Sequence, residues 1–302
     1  MEPEFISPPK TLMLPLTSEG TFDFFPTWKK LAGVESLQHL PPVPYESPAR
    51  KELAALLEIQ RPERVETVTS ADHWESKRSL LRSNLDWLLG ERPDGRREVT
   101  AKTIFETACS GYVRRKIRLQ IERQVSSKVV FQSNDNGATR RRVLVATESE
   151  TIPGYLCIPS ASRSPRPAVI CLHNFNVDQG ARESVGLDDD HQDLAFADQL
   201  ARNGFVTLSF DLPGQGERKS KSRTSAEQTI EFYRSSPMRS LLGRMIWEVS
   251  CAVDYLSTLE SVAPRRVGCM GHLLGGIVSL FASALDERIA AVVASSACST
   301  FS

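Results

Sequence analysis

The spacing of hydrophobic residues predicts a helix early in the chain. Ser70 precedes a segment with apolar residues at helical spacing, and Gly90 follows its last turn, which is the residue usage of a capped helix. The predicted inward face of this helix carries Trp74, Leu81, Leu85 and Leu88. Residues 47–59 predict a shorter helix, and the proline-rich residues 1–46 show no sustained period. We therefore expect an N-terminal arm and helical extension over residues 1–110.

From Tyr112 onward the spacing becomes that of β-strands. Polar and apolar residues alternate over residues 116–122 and 142–146, and a further short strand is predicted at 154–158, after a turn. Alternation of this kind is typical of strands with one solvated face. These segments therefore predict antiparallel hairpin strands at one edge of a sheet.

Beyond Pro165, predicted strands and helices alternate. The strands are predicted at residues 168–172, 205–210, 266–270 and 289–295, and the helices at 190–203, 240–258 and 274–285. The continuously apolar run at 168–172 is typical of a parallel strand that is covered on both faces. Repeated βαβ units with right-handed crossovers predict an α/β domain over residues 111–302, built on a doubly wound, mostly parallel sheet.

Composition excludes several classes of partner. The 37 basic residues are balanced by 37 acidic ones, so no net charge favours nucleic acid or an anionic membrane surface. No apolar run reaches the roughly 18 residues of a membrane-spanning helix, and the N-terminus lacks a signal-peptide pattern. The six cysteines form no CxxC or CxxH pair, which argues against a zinc site and suits a reducing compartment. We expect a cytoplasmic protein without nucleic-acid or membrane partners.

Residues 188–191, Asp-Asp-Asp-His, could suggest a metal site. Adjacent aspartates at the start of a helix are better explained by the helix dipole, which favours negative charge there. We therefore expect no metal.

The candidate chemistry lies between the strand at 266–270 and the helix at 274–285. Gly271 and Gly275 stand two residues before and two residues after Leu273, which is the Gly-x-Ser-x-Gly spacing of a nucleophile elbow. A Cβ atom at either glycine would clash with the neighbouring strand or helix, and Gly276 lets the helix approach the sheet closely.

Three motifs and one helix carry a resemblance to the α/β-hydrolases. Residues 271–276, Gly-His-Leu-Leu-Gly-Gly, resemble the Gly-His-Ser-Leu-Gly-Gly elbow of that superfamily. Residues 172–174, Leu-His-Asn, resemble its His-Gly oxyanion segment, and residues 211–217, Asp-Leu-Pro-Gly-Gln-Gly-Glu, resemble its Asp-x-x-Gly-x-Gly turn. With the helix at 74–90, the resemblance covers residues 70–302. The helix at 74–90 resembles the N-terminal helix of bacterial esterases related to dienelactone hydrolases and acetyl xylan esterases.

The resemblance implies an α/β-hydrolase fold and a serine carboxylic-ester hydrolase lineage. Its substrates would be small esters such as acetylated sugars or lactones, cleaved through an acyl-enzyme at position 273 without a metal or organic cofactor. The oxyanion would be held by the backbone N–H groups of Leu274 and of Phe175 or Asn174. His173 would shape the oxyanion turn, although a strand-end histidine bonded only to backbone explains it better. His272 precedes the nucleophile position and should point away from it.

The chain departs from the superfamily pattern at the residues that react. Leucine at position 273 has no nucleophilic atom, and no Ser, Thr or Cys lies between Gly271 and Gly276. Asn174 stands where the superfamily has glycine.

The acid and the base are also missing from the expected positions. No histidine follows His272, and the only acids after it are Asp286 and Glu287. We therefore predict that the chain does not cleave esters.

The end of the chain shapes the remaining expectations. In the strand order that the resemblance implies, 289–295 is the sixth strand, so we expect strands seven and eight to be absent and the apolar edge at 290–294 to be open. We expect a fragment or truncated translation of a longer chain. The alternative is a non-catalytic binding or regulatory protein that uses a leucine-lined pocket or the open edge. Residues 213–238, with Phe232 and Tyr233, would either cover the pocket or form a solvated loop.

Overall fold

The computed structural model describes residues 58–60, 64–90, 93, 97–133, 139–160 and 165–297. Its strands in chain order are β1 (Glu58–Gln60), β2 (Val65–Thr67), β3 (Arg97–Cys109), β4 (Tyr112–Ser133), β5 (Thr139–Pro159), β6 (Arg166–Leu172), β7 (Val206–Phe210), β8 (Val262–His272) and β9 (Ile289–Ser295). Its helices are α1 (Ala71–Leu89), α2 (Phe196–Arg202), α3 (Ser225–Ser235), α4 (Leu241–Ser257) and α5 (Leu274–Leu285). Short 3₁₀ segments lie at Gly180–Arg182, Asp189–Leu194 and Gly216–Arg218.

Helix α1 has the predicted caps but not the predicted inward face. The Ser70 side chain accepts the His73 N–H at 3.2 Å, and Gly90 ends the helix with φ of 78°. Leu81 and Leu88 are exposed rather than buried. Among the described residues, the helix contributes only its last residue, Leu89, to the hydrophobic core, while Trp74 and Leu85 are half-buried.

The segment before α1 also differs from its prediction. Residues 58 and 59, predicted at the end of a short helix, belong to strand β1, which pairs antiparallel with β2. The rest of that predicted helix and the predicted arm at 1–46 lie outside the described residues.

Seven strands form one mixed sheet in the order β3-β4-β5-β7-β6-β8-β9. Strands β3, β4 and β5 pair antiparallel and β5 joins β7 antiparallel, whereas β7, β6, β8 and β9 are all parallel. The predicted α/β class, with hairpin strands at one edge and a parallel region beyond them, is confirmed. In the described part of the chain, no helix combines the length and the apolar composition needed to cross a membrane.

The strand count made from the sequence was wrong. It placed 289–295 sixth and expected strands seven and eight to be absent. This strand is instead the ninth along the chain and lies at the edge of a seven-stranded sheet. The count missed β3, whose side chains are mostly exposed at the sheet edge, so that no buried stripe marked it. The boundary predicted at residues 110 and 111 falls in the turn that joins β3 to β4.

Two predicted elements were divided differently in the structure. Residues 142–146 and 154–158 belong to one continuous strand, β5, because β4 is long enough to pair with it from Tyr112 to Ser133. The helix predicted at 190–203 is a 3₁₀ segment followed by α2, with non-helical angles at His191.

The sheet is covered on both faces because successive residues of its strands enter two different cores. Leu156 of β5 and Ile170 of β6 join the core formed with α4 and α5. Their neighbours Cys157 and Cys171 join the core formed with α2. Complete burial of one aliphatic side chain contributes about 1.5–3 kcal/mol, so this alternation fixes the register of the central strands.

A fully buried carboxylate lies inside the core on the α4 side. Glu248 accepts hydrogen bonds at 2.8 Å from both terminal nitrogens of Arg218 and one at 2.7 Å from Arg244. Burial alone would raise the pKa of Glu248, but the two guanidinium groups together hold it below its usual range. Arg218 also donates to the backbone oxygen of Asp211 at 2.9 Å, which joins the helix to the turn after β7.

We expect Glu248→Gln to lower the free energy of unfolding by about 3–5 kcal/mol, because the buried guanidinium group of Arg218 would lose its counter-charge and that of Arg244 would keep only Glu150. Urea unfolding measures the change. The matched control is Glu231→Gln, since Glu231 meets Arg223 only at 4.0 Å and both side chains are half exposed. The control should lose less than about 1 kcal/mol. Equal losses in the two variants would show that the buried network does not support the fold.

Candidate active site

The strand–helix turn after β8 has the backbone geometry of a nucleophile elbow. Leu273 joins β8 to α5 with φ of 45° and ψ of −111°. Residues other than glycine avoid this region of backbone conformation. Its N–H donates to the Ser295 oxygen of the neighbouring strand at 2.9 Å, and its own oxygen accepts the Ile277 N–H at 2.9 Å. The strained residue is therefore held by hydrogen bonds on both sides.

The three glycines of the motif are required by close packing. A Cβ atom on Gly271 would overlap the backbone of Gly275, and one on Gly275 would overlap the backbone oxygens of Leu172 and His173. A Cβ atom on Gly276 would lie 2.8 Å from the side chain of Ala297. The start of α5 is thus pressed against the end of β6, which brings the elbow and the segment after β6 together.

The residue at the centre of the elbow offers only carbon to this site. The side chain of Leu273 is 42% exposed, and Phe175 in the loop after β6 is 61% exposed. Where a hydrolase presents a hydroxyl group, this chain presents apolar surface to solvent.

His173 is a fixed structural residue at the end of β6. It is fully buried, its Nε2 accepts the Leu212 N–H at 3.0 Å, and its Nδ1–H donates to the Asn174 oxygen at 2.6 Å. Burial lowers the pKa of His173 to about 4, although the Asn174 oxygen and the nearby Glu183 favour the charged form. The imidazole is therefore neutral near pH 7, with both nitrogens used by backbone groups.

The backbone donors predicted on the loop after β6 already have acceptors. The Asn174 N–H donates to Glu183 Oε1 at 2.9 Å, and the Phe175 N–H donates to the Asn174 side-chain oxygen at 2.6 Å. The Leu274 N–H, in the first turn of α5, has no acceptor among the described residues. Of the three predicted donors, only this one is free to bind a ligand.

Two buried acids hold this loop in shape. Glu183 accepts from the Asn176 side chain at 2.8 Å, and Asp188 accepts from the same amide at 3.2 Å. Asp188 also accepts the Asp190 N–H at 3.3 Å and lies 2.9 Å from Nδ1 of His191. The bond to Asp188 raises the pKa of His191, which is solvent-exposed. These contacts orient the segment that follows Phe175.

The turn after β7 is tied to the same loop by Asp211. Its two carboxylate oxygens accept the Ala181 N–H at 2.8 Å and the Glu217 N–H at 2.9 Å. Gly180 and Gly216 both have positive φ and pass so close to this carboxylate that neither could carry a Cβ atom. Burial raises the pKa of Asp211, and the two N–H donors only partly offset that shift.

The remaining titratable candidates lie away from the elbow side chain or are engaged elsewhere. His272 Nδ1 lies 3.2 Å from the hydroxyl group of Ser295. Asp286 and Glu287 precede β9, whereas the elbow faces its far end, where His272 pairs with Ser295. Seven residues of strand separate the two ends, about 20 Å at the usual rise. Asp286 binds Arg288, and Glu287 binds Arg82 at 2.7 Å.

The segment 213–238 contains a 3₁₀ turn and helix α3. Phe232 and Tyr233 form an edge-to-face pair with centroids 5.3 Å apart, and the Leu241 N–H donates to the Tyr233 hydroxyl at 3.3 Å. The segment is therefore anchored to the start of α4.

Two cavities, of about 490 and 160 Å³, lie beside Arg97, between β3 and the helices α4 and α5, and no elbow residue lines either of them.

Comparison with known proteins agrees with this geometry. Residues 152–296 match the Dienelactone hydrolase family. YtaP of Bacillus subtilis (strain 168), provisionally named a hydrolase, is 31% identical over 142 residues, which cover 46% of this chain and 46% of YtaP. The chain has the α/β-hydrolase fold and resembles the Dienelactone hydrolase family over residues 152–296. The resemblance that rested on the elbow, the His173 segment and the Asp211 turn is confirmed.

Solved structures show the same fold around this α/β-hydrolase elbow. A Bacteroides fragilis protein provisionally assigned as an acetyl xylan esterase superposes with a TM-score of 0.52 at 17% identity, over 74% of this chain and 54% of that chain. A glucuronoyl esterase from Solibacter usitatus superposes with a TM-score of 0.53 at 15% identity, over 81% and 63%. The chain spans about half the length of YtaP and of the Bacteroides protein.

Sequence reasoning missed the groups that hold the loop of this α/β-hydrolase chain. Glu183 and Asn176 showed no motif spacing, and their roles appear only when the loop after β6 folds back on itself. Glu248 could have been noticed, because it is a charged residue at an otherwise apolar helical position between Met245 and Val249.

We expect Leu273→Gly to be more stable than Leu273→Ala by about 1–2 kcal/mol, because glycine adopts positive φ without the steric cost that any Cβ atom carries. Urea unfolding of both variants measures the difference. Leu280, on the exposed side of α5, is the matched control, and there glycine should be less stable than alanine by about 1 kcal/mol. The same order at both positions would contradict the strained geometry.

The buried His173 predicts a specific pH dependence of stability. Its pKa of about 4 in the fold lies below the ordinary value of 6.5, so the unfolded chain takes up a proton first as the pH falls. The stabilisation is complete above pH 6.5 and is lost between pH 6.5 and 4, by roughly 3 kcal/mol. In His173→Gln, which cannot titrate, this part of the pH dependence should disappear from urea unfolding curves. His73→Gln, at an exposed histidine of α1, should retain it.

Proposed function

We propose that this chain comes from a lineage of carboxylic-ester hydrolases acting on small esters, and that its 302 residues do not form an acyl-enzyme. The observation that carries the proposal is the elbow itself, which keeps its strained φ and close-packed glycines around Leu273. A backbone built to expose a nucleophile is thus retained with a side chain that cannot react.

The missing reaction follows from the chemistry of the acyl-transfer step. Attack on an ester carbonyl needs an oxygen or sulfur atom at the elbow and an imidazole to remove its proton. Leu273 supplies no such atom. Among the described residues, His173 is buried with both nitrogens bonded, and His272 contacts Ser295. Neither of these two histidines, which flank the candidate site in the sequence, is in place to act as the base.

The substrate class rests on the relatives. The match to the Dienelactone hydrolase family and the fold shared with acetyl xylan and glucuronoyl esterases support small esters, such as acetylated sugars or lactones, as substrates of the lineage.

The five described cysteines are free and four of them are buried, a usage that supports a cytoplasmic location.

A second candidate function is non-catalytic binding. The exposed side chains of Phe175 and Leu273 form apolar surface at the predicted substrate position, and Val292 and Val293 are exposed on β9. In this reading the elbow region binds an apolar ligand. Saturable binding of an aryl methyl ketone, an uncleavable analogue of an aryl acetate, that is lost in Leu273→Asp would support it, and an insoluble or aggregated chain would count against it.

We expect the purified chain to hydrolyse 4-nitrophenyl acetate no faster than its Leu273→Ala variant. Leu273→Ser should also give no burst of nitrophenolate and no acetyl group on the peptide that contains residue 273, because serine without a base is not activated. Stopped-flow absorbance and peptide mass spectrometry test both statements. Turnover by the original chain that exceeds the Leu273→Ala rate would disprove the proposal.

A further inference from the structure

An oxyanion hole works only when its N–H groups are free to meet a developing negative charge. The donors must lie about 2.7–3.1 Å from the oxygen they stabilise and must not already be satisfied by the protein. In this chain the hole would be formed by the N–H groups of Leu274, on α5, and of Phe175, on the loop after β6. The packing of Gly275 against Leu172 and His173 places these two segments side by side.

The two N–H donors differ in whether they already have an acceptor within the protein. The Leu274 N–H has no acceptor among the described residues. The Phe175 N–H already donates to the side-chain oxygen of Asn174 at 2.6 Å. An amide oxygen carries partial negative charge and two lone pairs, so it makes the contact that a substrate carbonyl oxygen would make.

The backbone of Asn174 is held in place, because both its N–H group and its carbonyl oxygen make hydrogen bonds. Its N–H donates to the buried Glu183 at 2.9 Å. Its oxygen accepts from His173 at 2.6 Å and from the Asn176 N–H at 2.8 Å. Only rotation of the Asn174 side chain would release the Phe175 N–H. A glycine at this position would have no side chain and would leave that donor open.

We propose that Asn174 occupies the loop half of the oxyanion hole with its own side chain, so that the hole is closed to carbonyl and carboxylate oxygens. This inference rests on the proposed function, because it takes the hole to be that of an ester hydrolase. Two departures from the superfamily then act together: Leu273 removes the nucleophile, and Asn174 fills the site that would hold the oxyanion.

The test observes the Phe175 amide directly and needs no turnover. Asn174–Phe175 is the only Asn–Phe step in the sequence, so carbonyl-labelled asparagine with nitrogen-labelled phenylalanine gives one identifiable resonance in the full chain. Acetate is the probe, and sodium chloride at equal ionic strength is the control for general salt effects. In the original chain, we expect acetate to leave the Phe175 amide resonance unchanged.

In Asn174→Ala the donor is released, and the Phe175 amide should shift saturably with acetate. We expect the affinity for acetate to rise about 10-fold to 100-fold, the range expected for one hydrogen bond to a charged group. Asn174→Gly should behave in the same way and serves if the alanine variant folds poorly. Asn174→Asp is the matched control, since its carboxylate still accepts the Phe175 N–H and should keep the hole closed.

Two results would overturn the proposal. One is a Phe175 amide that responds to acetate equally in the original chain and in Asn174→Ala. The other is an amide that responds in none of the variants, which would mean that Asn174 is not what closes the hole. Ester turnover by the original chain would contradict the proposed function instead, and the amide measurement would still stand as a separate result.

Discussion

The site of this chain depends on one buried ion pair that joins the core to the loops above the sheet. Arg218 binds Glu248 inside the core and the backbone of Asp211 at the end of β7. Asp211 in turn holds the N–H of Ala181, two residues before the Glu183 that fixes the loop after β6. A buried charge tolerates little displacement, because its desolvation is offset only while its partners stay in place. The position of the loop is therefore set from within the core.

The parts of the fold that could be predicted are those with a strong local cause. Helix α5 and strand β9 begin and end where the sequence indicated, because glycines that permit no Cβ atom flank the start of α5 and a continuous apolar run forms β9. The elbow could be located for the same reason, since its geometry follows from glycine spacing and not from the residue at position 273. The alternation of β5 and β6 between two cores also follows from strand geometry.

The parts that could not be predicted depend on contacts between distant segments. Strand β3 has few buried side chains, so its place in the sheet comes from pairing with β4 and not from a hydrophobic pattern. Leu81 and Leu88 of α1 follow a helical period, yet burial depends on what packs beside them. The occupied donor at Phe175 was equally hidden, because a motif shows which backbone groups could form a hole but not which side chain fills it.

The order of the strands has a consequence for how the molecule is assembled. Strand β6 pairs with its sequence neighbour β7 on one side and with the more distant β8 on the other, where Arg166 lies opposite Val262. Such non-local pairing is slow, because about 100 residues of chain must be closed into a loop before the contact forms. During synthesis, β6 therefore emerges long before β8 can pair with it. The elbow and the Asn174 loop come into contact only at that late step, so the region we expect to be chemically silent is also among the last to fold.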